Sequence, residues 1–150
     1  MAMSYPKKGW AMNKLKGKIL DIQSSDNISI LHVDVEGDVF SSIVLEGKKG
    51  PTNYKLKDQV TLLFKETEVG LAKDLTGMIS LRNRFKATIK KIDKGPILAK
   101  VTLSYKNHTI ESIISAQSTD QMKLKNKEEV EWLVKTNEVT LMKNPTWVLI

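Results

Sequence analysis

Residues 83–92, NRFKATIKKI, and residues 13–22, NKLKGKILDI, follow one pattern. Asn13 aligns with Asn83, Lys16 with Lys86, Ile19 with Ile89 and Ile22 with Ile92. The likeness extends outward from there. At an offset of 70, residues 12–73 lie over residues 82–143 without a gap, with 15 identities in 62 positions. Ser42-Ile43 meets Ser112-Ile113, and Lys65, Glu68, Val69, Leu71 and Lys73 meet Lys135, Glu138, Val139, Leu141 and Lys143. A repeat of this length is longer than a solenoid unit, so each copy reads as a small domain.

Inside each copy the hydrophobic period is two, which is the period of strands. Copy one offers KGKILDI (16–22), LHVDV (31–35), VFSSIV (39–44), VTLLF (60–64) and EVGLA (68–72). Copy two answers with FKATIKKI (85–92), AKVTLSY (99–105), TIESII (109–114), VEWLV (130–134) and EVTLM (138–142). In 85–92, Phe85, Ala87, Ile89 and Lys91 fall on one side of a strict alternation. VEGDVF (35–40) and YKNHTI (105–110) read as hairpin turns. AQSTDQMKL (116–124) suits a short helix, whereas GKKGP (47–51) disrupts it in copy one. The expectation is an all-β chain of two tandem OB-like barrels, each of about five strands with one short helix, a closed form that removes sheet edges. The expected boundaries are an N-terminal extension over 1–10, partly of vector origin, repeat 1 over 11–74, repeat 2 over 78–144 and a tail over 145–150.

Composition narrows the function classes. The chain has no cysteine, which excludes disulfides, thiolate metal ligands and a cysteine nucleophile. Aromatic residues are 6% of the sequence, so an aliphatic core is expected. No signal peptide and no stretch long enough to span a membrane is evident. The net charge of +7 favours an anionic partner. His32 and His108 lack partners at metal-ligand spacing, and no glycine-rich phosphate loop or serine elbow is present. The expectation is a protein that is not an enzyme and that has no direct metal ligands.

Polar residues gather around the strands of copy two: Ser80-Leu81-Arg82-Asn83 before the first, Ser115-Ala116-Gln117-Ser118 in the middle, and Lys135-Thr136-Asn137 before the last. These are hydrogen-bond donors without acidic company, a set suited to a tetrahedral oxyanion. The competing reading is turn chemistry, with Ser80 and Asn83 satisfying backbone groups and Arg82 on the surface.

ISLRN-(x)2-KATI resembles the SARN-(x)2-KG opening of the molybdenum-binding Mop domains, also called TOBE domains. SIISAQSTDQMKLKNKEEV is similar to their middle segment, a Thr or Ser followed by a short helix and L-x-L-x-x-G-D-x-V. LVKTNEVTLM is similar to their closing I-K-[AS]-[ST]-x-V-M-[IL]. The doubled set resembles the di-Mop, molbindin-like proteins. That resemblance implies OB-like barrels, molybdate or tungstate bound at subunit interfaces, a homotrimer and a cytoplasmic location. It implies that Ser80, Leu81, Arg82 and Asn83 face the anion, with Lys135 and Thr136 in the closing role and Ser115 as the hydroxyl residue. With neither a helix-turn-helix nor an ATPase segment in the sequence, a free-standing binder that stores or buffers the anion is expected.

Copy one departs from the motif. Its opening is Ala11-Met12-Asn13, so Met12 replaces the arginine. Leu45 replaces the hydroxyl residue, and Glu66 follows Lys65 where Ser or Ala is usual. Ala11, Met12, Asn13, Lys65 and Glu66 are therefore weaker equivalents. Two other readings stand beside the leading one. An OB-fold nucleic-acid binder fits the charge, but Tyr54 and Tyr105 are few for base stacking and Trp132 reads as core. A molybdate-sensing regulatory subunit for a protein partner is the other.

Overall fold

The computed structural model describes residues 11–45 and 53–143. The described residues form ten strands, of which those over 28–35 and 98–105 alternate strictly as the hydrophobic period requires. In repeat 1 they are β1 (Met12–Ser25), β2 (Ile28–Val35), β3 (Asp38–Leu45), β4 (Gln59–Lys65) and β5 (Gly70–Ala72). In repeat 2 they are β6 (Asn83–Lys94), β7 (Leu98–Tyr105), β8 (His108–Ser115), β9 (Glu129–Val134) and β10 (Thr140–Lys143). The helix α1 spans Ala116–Gln121, and single 3-10 turns at Glu66–Glu68 and Thr136–Glu138 precede β5 and β10. The copy-one counterpart of α1, the N-terminal extension and the C-terminal tail lie outside the described residues.

The strands form two five-stranded sheets, in the orders β10-β4-β1-β2-β3 and β5-β9-β6-β7-β8. The chain is all-β, as expected, but each sheet takes its last strand from the other repeat. β10 pairs antiparallel with β4, with Thr140 opposite Leu63. β5 pairs antiparallel with β9, with Gly70 opposite Leu133. The compact units accordingly cut across the repeats. Unit 1 takes 11–13 and 65–134, and unit 2 takes 14–45, 53–64 and 135–143. The boundaries 11–74 and 78–144 follow the sequence repeats, while the packed units exchange their closing segments.

In unit 2 the core is Leu15, Ile19, Leu31, Val33, Val35, Phe40, Val60, Leu62 and Phe64, joined by Val139 from the closing segment of repeat 2. In unit 1 Val69 makes the reciprocal contribution. Burying a valine side chain is worth about 1.5–3 kcal/mol, which helps hold each exchanged segment. A second fastener repeats at the equivalent position. The Ser42 hydroxyl donates to the Val139 carbonyl at 2.6 Å, and the Ser112 hydroxyl donates to the Val69 carbonyl at 2.7 Å. Both serines are fully buried, so each bond satisfies groups that water cannot reach.

Three features differ from simple alternation. The register shifts between Ile19 and Asp21 in β1 and between Ile89 and Lys91 in β6. These bulges change which face each following residue occupies, so Lys91 is exposed and does not continue the inward row of Ala87 and Ile89. The hairpin at Glu36-Gly37 forms as expected, with φ of 49° and 97°, the left-handed pair that a tight two-residue turn demands. The core is mainly aliphatic, as expected, but in unit 1 three aromatic side chains pack into a cluster. Phe85, Tyr105 and Trp132 have ring centroids 5.1–5.9 Å apart. Leu15, Val35 and Leu62 stand at the equivalent positions of repeat 1.

Candidate functional site

The segment Gly77–Asn83 leads into β6 and borders a surface hollow. The hollow has a volume of about 430 Å³ and is lined by Gly77, Met78, Ile79, Leu81, Arg82 and Arg84. Arg82 is exposed, and its Nη2 donates to the Ile79 carbonyl, which folds the segment back on itself. Among the described residues no carboxylate pairs with Arg82. Ser80 is exposed beside it. Arg84 differs: its Nε and Nη2 donate to the two Glu131 carboxylate oxygens at 2.8 and 2.9 Å, a bidentate pair across β6 and β9. That bond holds the Glu131 carboxyl below the usual range and the Arg84 guanidinium above its own. Arg84 is thus internally neutralised, and Arg82 is the cation of the hollow with donors to offer.

The remaining expected residues fall in several places. Asn83 is fully buried at the start of β6, opposite Val134, so it belongs to the packing of the strand rather than to its surface. Ser115 caps α1: its Oγ accepts from the Ser118 N–H at 3.0 Å and donates to the Ser118 hydroxyl at 2.8 Å. Lys135 is exposed and Thr136 half-buried, and both belong to unit 2, whereas Ser80–Asn83 and Ser115 belong to unit 1.

The copy-one equivalents come together in unit 1, and their chemistry is already engaged. The Glu66 N–H donates to the Ala11 carbonyl at 3.3 Å. The Asn13 Nδ2 donates to the Glu111 carbonyl at 3.0 Å, and the Glu111 N–H donates back to Asn13 Oδ1 at 2.8 Å. Its amide is therefore a clamp on the β8 backbone. Met12 and Lys65 are exposed. Glu66 is buried, with its Oε1 3.0 Å from Lys100 Nζ. Burial opposes the charge on Lys100, but Glu66, then Glu111 and Asp93, hold its ammonium above the usual lysine range.

Lys100 escaped the sequence reading. It alternates with buried Ala99 and Val101 on β7, so the pattern marks it as an ordinary outward lysine. The signal that could have found it is its departure from the repeat, which has Ile30 at the equivalent position. Glu111 was missed for a different reason, because its backbone, rather than its side chain, meets Asn13.

The tyrosines and tryptophan considered for stacking are occupied. Trp132 and Tyr105 are buried, and the Tyr54 hydroxyl donates to the Leu141 carbonyl at 3.1 Å. His32 lies 3.3 Å from an Asp21 carboxylate oxygen, an exposed pair. Among the described residues no cluster of three or more His, Asp or Glu could hold a metal ion, and no helix is long and apolar enough to cross a membrane.

Comparison with known proteins bears on the fold. No curated protein matches the sequence. Among solved structures, the molybdate-bound, PEG-grown form of the cytoplasmic molybdate-binding protein ModG superposes with a TM-score of 0.82. It is 22% identical and covers 96% of this chain and 100% of its own. Residues 79–141 match the TOBE domain model, from the Ile79 carbonyl that Arg82 bonds to the first residues of β10. That segment, which makes up most of repeat 2, is what the chain shares with the TOBE domain.

Proposed function

We propose that this protein binds molybdate or tungstate as an intact oxyanion and serves to store or buffer it in the cytoplasm, as a homotrimer without catalytic activity. The observation that carries the reading is the fold it shares, across 96% of its length, with a protein crystallised with molybdate. The chemistry of the Ser80–Asn83 segment supports it. Arg82 is an exposed guanidinium without a carboxylate partner among the described residues, beside the Ser80 hydroxyl and at the edge of an open hollow. Arg82 supplies positive charge against the dianion, and Ser80, Leu81, Asn83 and Ser115 supply hydroxyl and backbone donors. Lys135 and Thr136 keep the closing-motif role that the resemblance implies. Asn83 and Ser115 act in this scheme through backbone groups and the segments they brace, because their side chains sit in packing and capping roles.

The copy-one set is the poorer candidate. Met12 carries no charge, the Asn13 amide is held by Glu111, and Glu66 places a carboxylate where a second anion would be repelled.

The test is calorimetric titration of the folded protein with molybdate, tungstate and sulfate. Heat of binding with molybdate or tungstate is expected, and none with either refutes the reading. Charge-assisted hydrogen bonds contribute about 1.5–3 kcal/mol, so Arg82→Ala is expected to weaken binding by about 10- to 150-fold. Met12→Ala is expected to change it less than about twofold, since no charged donor is lost. Equal losses would overturn the ranking of the two repeats.

A further inference from the structure

The exchange of closing segments poses a question that the backbone alone does not answer. Gly70 lies opposite Leu133 in one sheet and Thr140 opposite Leu63 in the other, and Leu63 and Leu133 are equivalent positions of the repeat. Had each repeat closed its own sheet, β5 could pair with β4 in the same register through a short hairpin. Such local closure carries the lower loop entropy cost. The anchors do not discriminate either: Val69 and Val139 are the same residue, and the serines that bond their carbonyls are the same residue. The end contacts are matched as well. Lys73 pairs with Glu128 at 2.7 Å and Lys143 with Asp58 at 3.3 Å, again equivalent positions. Register, anchor and end pairs are alike, and within the ladders the closing strands differ only in uncharged residues, Gly70 and Ala72 against Thr140 and Met142, so none of these places a charge that would assign a segment to a sheet.

One pair breaks this equivalence. Glu66, in the closing segment of repeat 1, is buried with its carboxylate 3.0 Å from Lys100 of repeat 2. At the equivalent positions, the closing segment of repeat 2 carries Thr136 and β2 carries Ile30. The turn at Glu66–Glu68 packs against β8 and the turn at Thr136–Glu138 against β3. In the exchanged arrangement the carboxylate meets an ammonium, and a hydroxyl residue faces the side with isoleucine. In local closure Glu66 would be buried on the isoleucine side without a cation, and Lys100 would lose its closest anion. A buried charge deprived of its partner is strongly unfavourable.

We propose that the Glu66–Lys100 ion pair is the element that selects the exchanged arrangement, by assigning the closing segment of repeat 1 to the sheet of repeat 2. It acts as a specificity device within one chain, in the way a single buried polar residue fixes the register of a coiled coil. This inference is independent of any bound oxyanion.

The test relocates the charge without changing composition. In E66T/T136E the glutamate moves to the other closing segment, so local closure now brings Glu at 136 to Lys100. The chain has no cysteine, so engineered pairs report the arrangement cleanly. Ala72 lies opposite Glu131, and A72C/E131C therefore reports exchange. Met142 lies opposite Thr61, so by the repeat A72C/T61C reports local closure. Facing strand residues lie within disulfide reach.

With the native pair, monomer-sized crosslinked product is expected from the exchange reporter and not from the local one. In the E66T/T136E background the ratio of local to exchanged product is expected to rise at least tenfold. Adding I30K and K100I restores a matched pair in the exchanged arrangement, and the ratio is expected to return. An unchanged ratio in E66T/T136E overturns the proposal. If that double variant unfolds by circular dichroism, the quadruple variant decides: recovery of fold with the exchange crosslink upholds the proposal, and failure to recover overturns it.

Discussion

Asn13→Ala separates an anion ligand from a structural clamp. Asn13 is 4% exposed and makes two hydrogen bonds to the backbone of Glu111, at 3.0 and 2.8 Å. Alanine removes both and leaves an N–H and a carbonyl of β8 without their partner. Each net bond is worth about 0.5–1.5 kcal/mol, and an orphaned buried group costs about 1–3 kcal/mol. Both bonds are only part-buried, so water partly replaces the amide, and a total loss of about 2–4 kcal/mol is expected. For a chain of this size that lowers Tm by about 4–16 °C. The assay is urea unfolding followed by circular dichroism, with molybdate titrated into the same preparation at a temperature where it stays folded. Stability is expected to fall while anion stoichiometry is unchanged. A loss under about 1 kcal/mol with stoichiometry reduced would refute the clamp and return Asn13 to the ligand set.

Three further outcomes follow from local geometry. Gly17→Ala places a Cβ 2.5 Å from Val33 Cγ1 and 2.7 Å from the Asp34 carbonyl, and overpacking against backbone is expected to destabilise unit 2 by about 1–3 kcal/mol in thermal melts. The equivalent residue of repeat 2 is already a buried alanine, Ala87, so the clash is specific to repeat 1. Lys127 holds φ at 71° where the related motif has glycine, so Lys127→Gly is expected to raise stability by about 0.5–1 kcal/mol, read as a higher urea midpoint. Acid stability follows three carboxylates held below their ordinary range: Glu131 by Arg84, Glu128 by Lys73, and Asp58 first by the Lys55 backbone N–H. A depressed carboxyl contributes stability above its unfolded value and loses it as pH falls through the folded value. Tm is therefore expected to stay level from about pH 7 to 5 and to drop below about pH 4.5, with a shallower drop in Glu131→Gln.

Much of the fold was legible because period-two alternation is a property of the strand itself. Leu31, Val33 and Val35 alternate in the sequence and point inward in β2. Glu36-Gly37 was legible because a tight turn requires left-handed backbone, and glycine supplies it. The bulges after Ile19 and Ile89 were not, since an inserted residue leaves no compositional mark until its strand has a partner. The site was partly legible. Arg82 stands out because no acid accompanies it in sequence or among its described neighbours. The roles of Asn13 and Ser115 were hidden, since an amide or hydroxyl in an irregular stretch reads the same whether it faces a ligand, a strand backbone or a helix end.

The exchange of closing segments was illegible for a deeper reason. Alternation says that 68–72 and 138–142 are strands but does not name their neighbours, and a repeated sequence offers each of them two nearly equal ones. The more faithful the repeat, the less its pattern can say about pairing. Information about the partner lies only where the copies differ, and differences such as Leu31 against Val101 or Val33 against Leu103 exchange one apolar residue for another and leave either pairing tolerable. Glu66 against Thr136 and Lys100 against Ile30 are departures of another kind, because they change charge at positions that packing brings together. In a duplicated domain, complementary departures of charge between the copies are thus the place to look for strand exchange, ahead of any motif that the copies share.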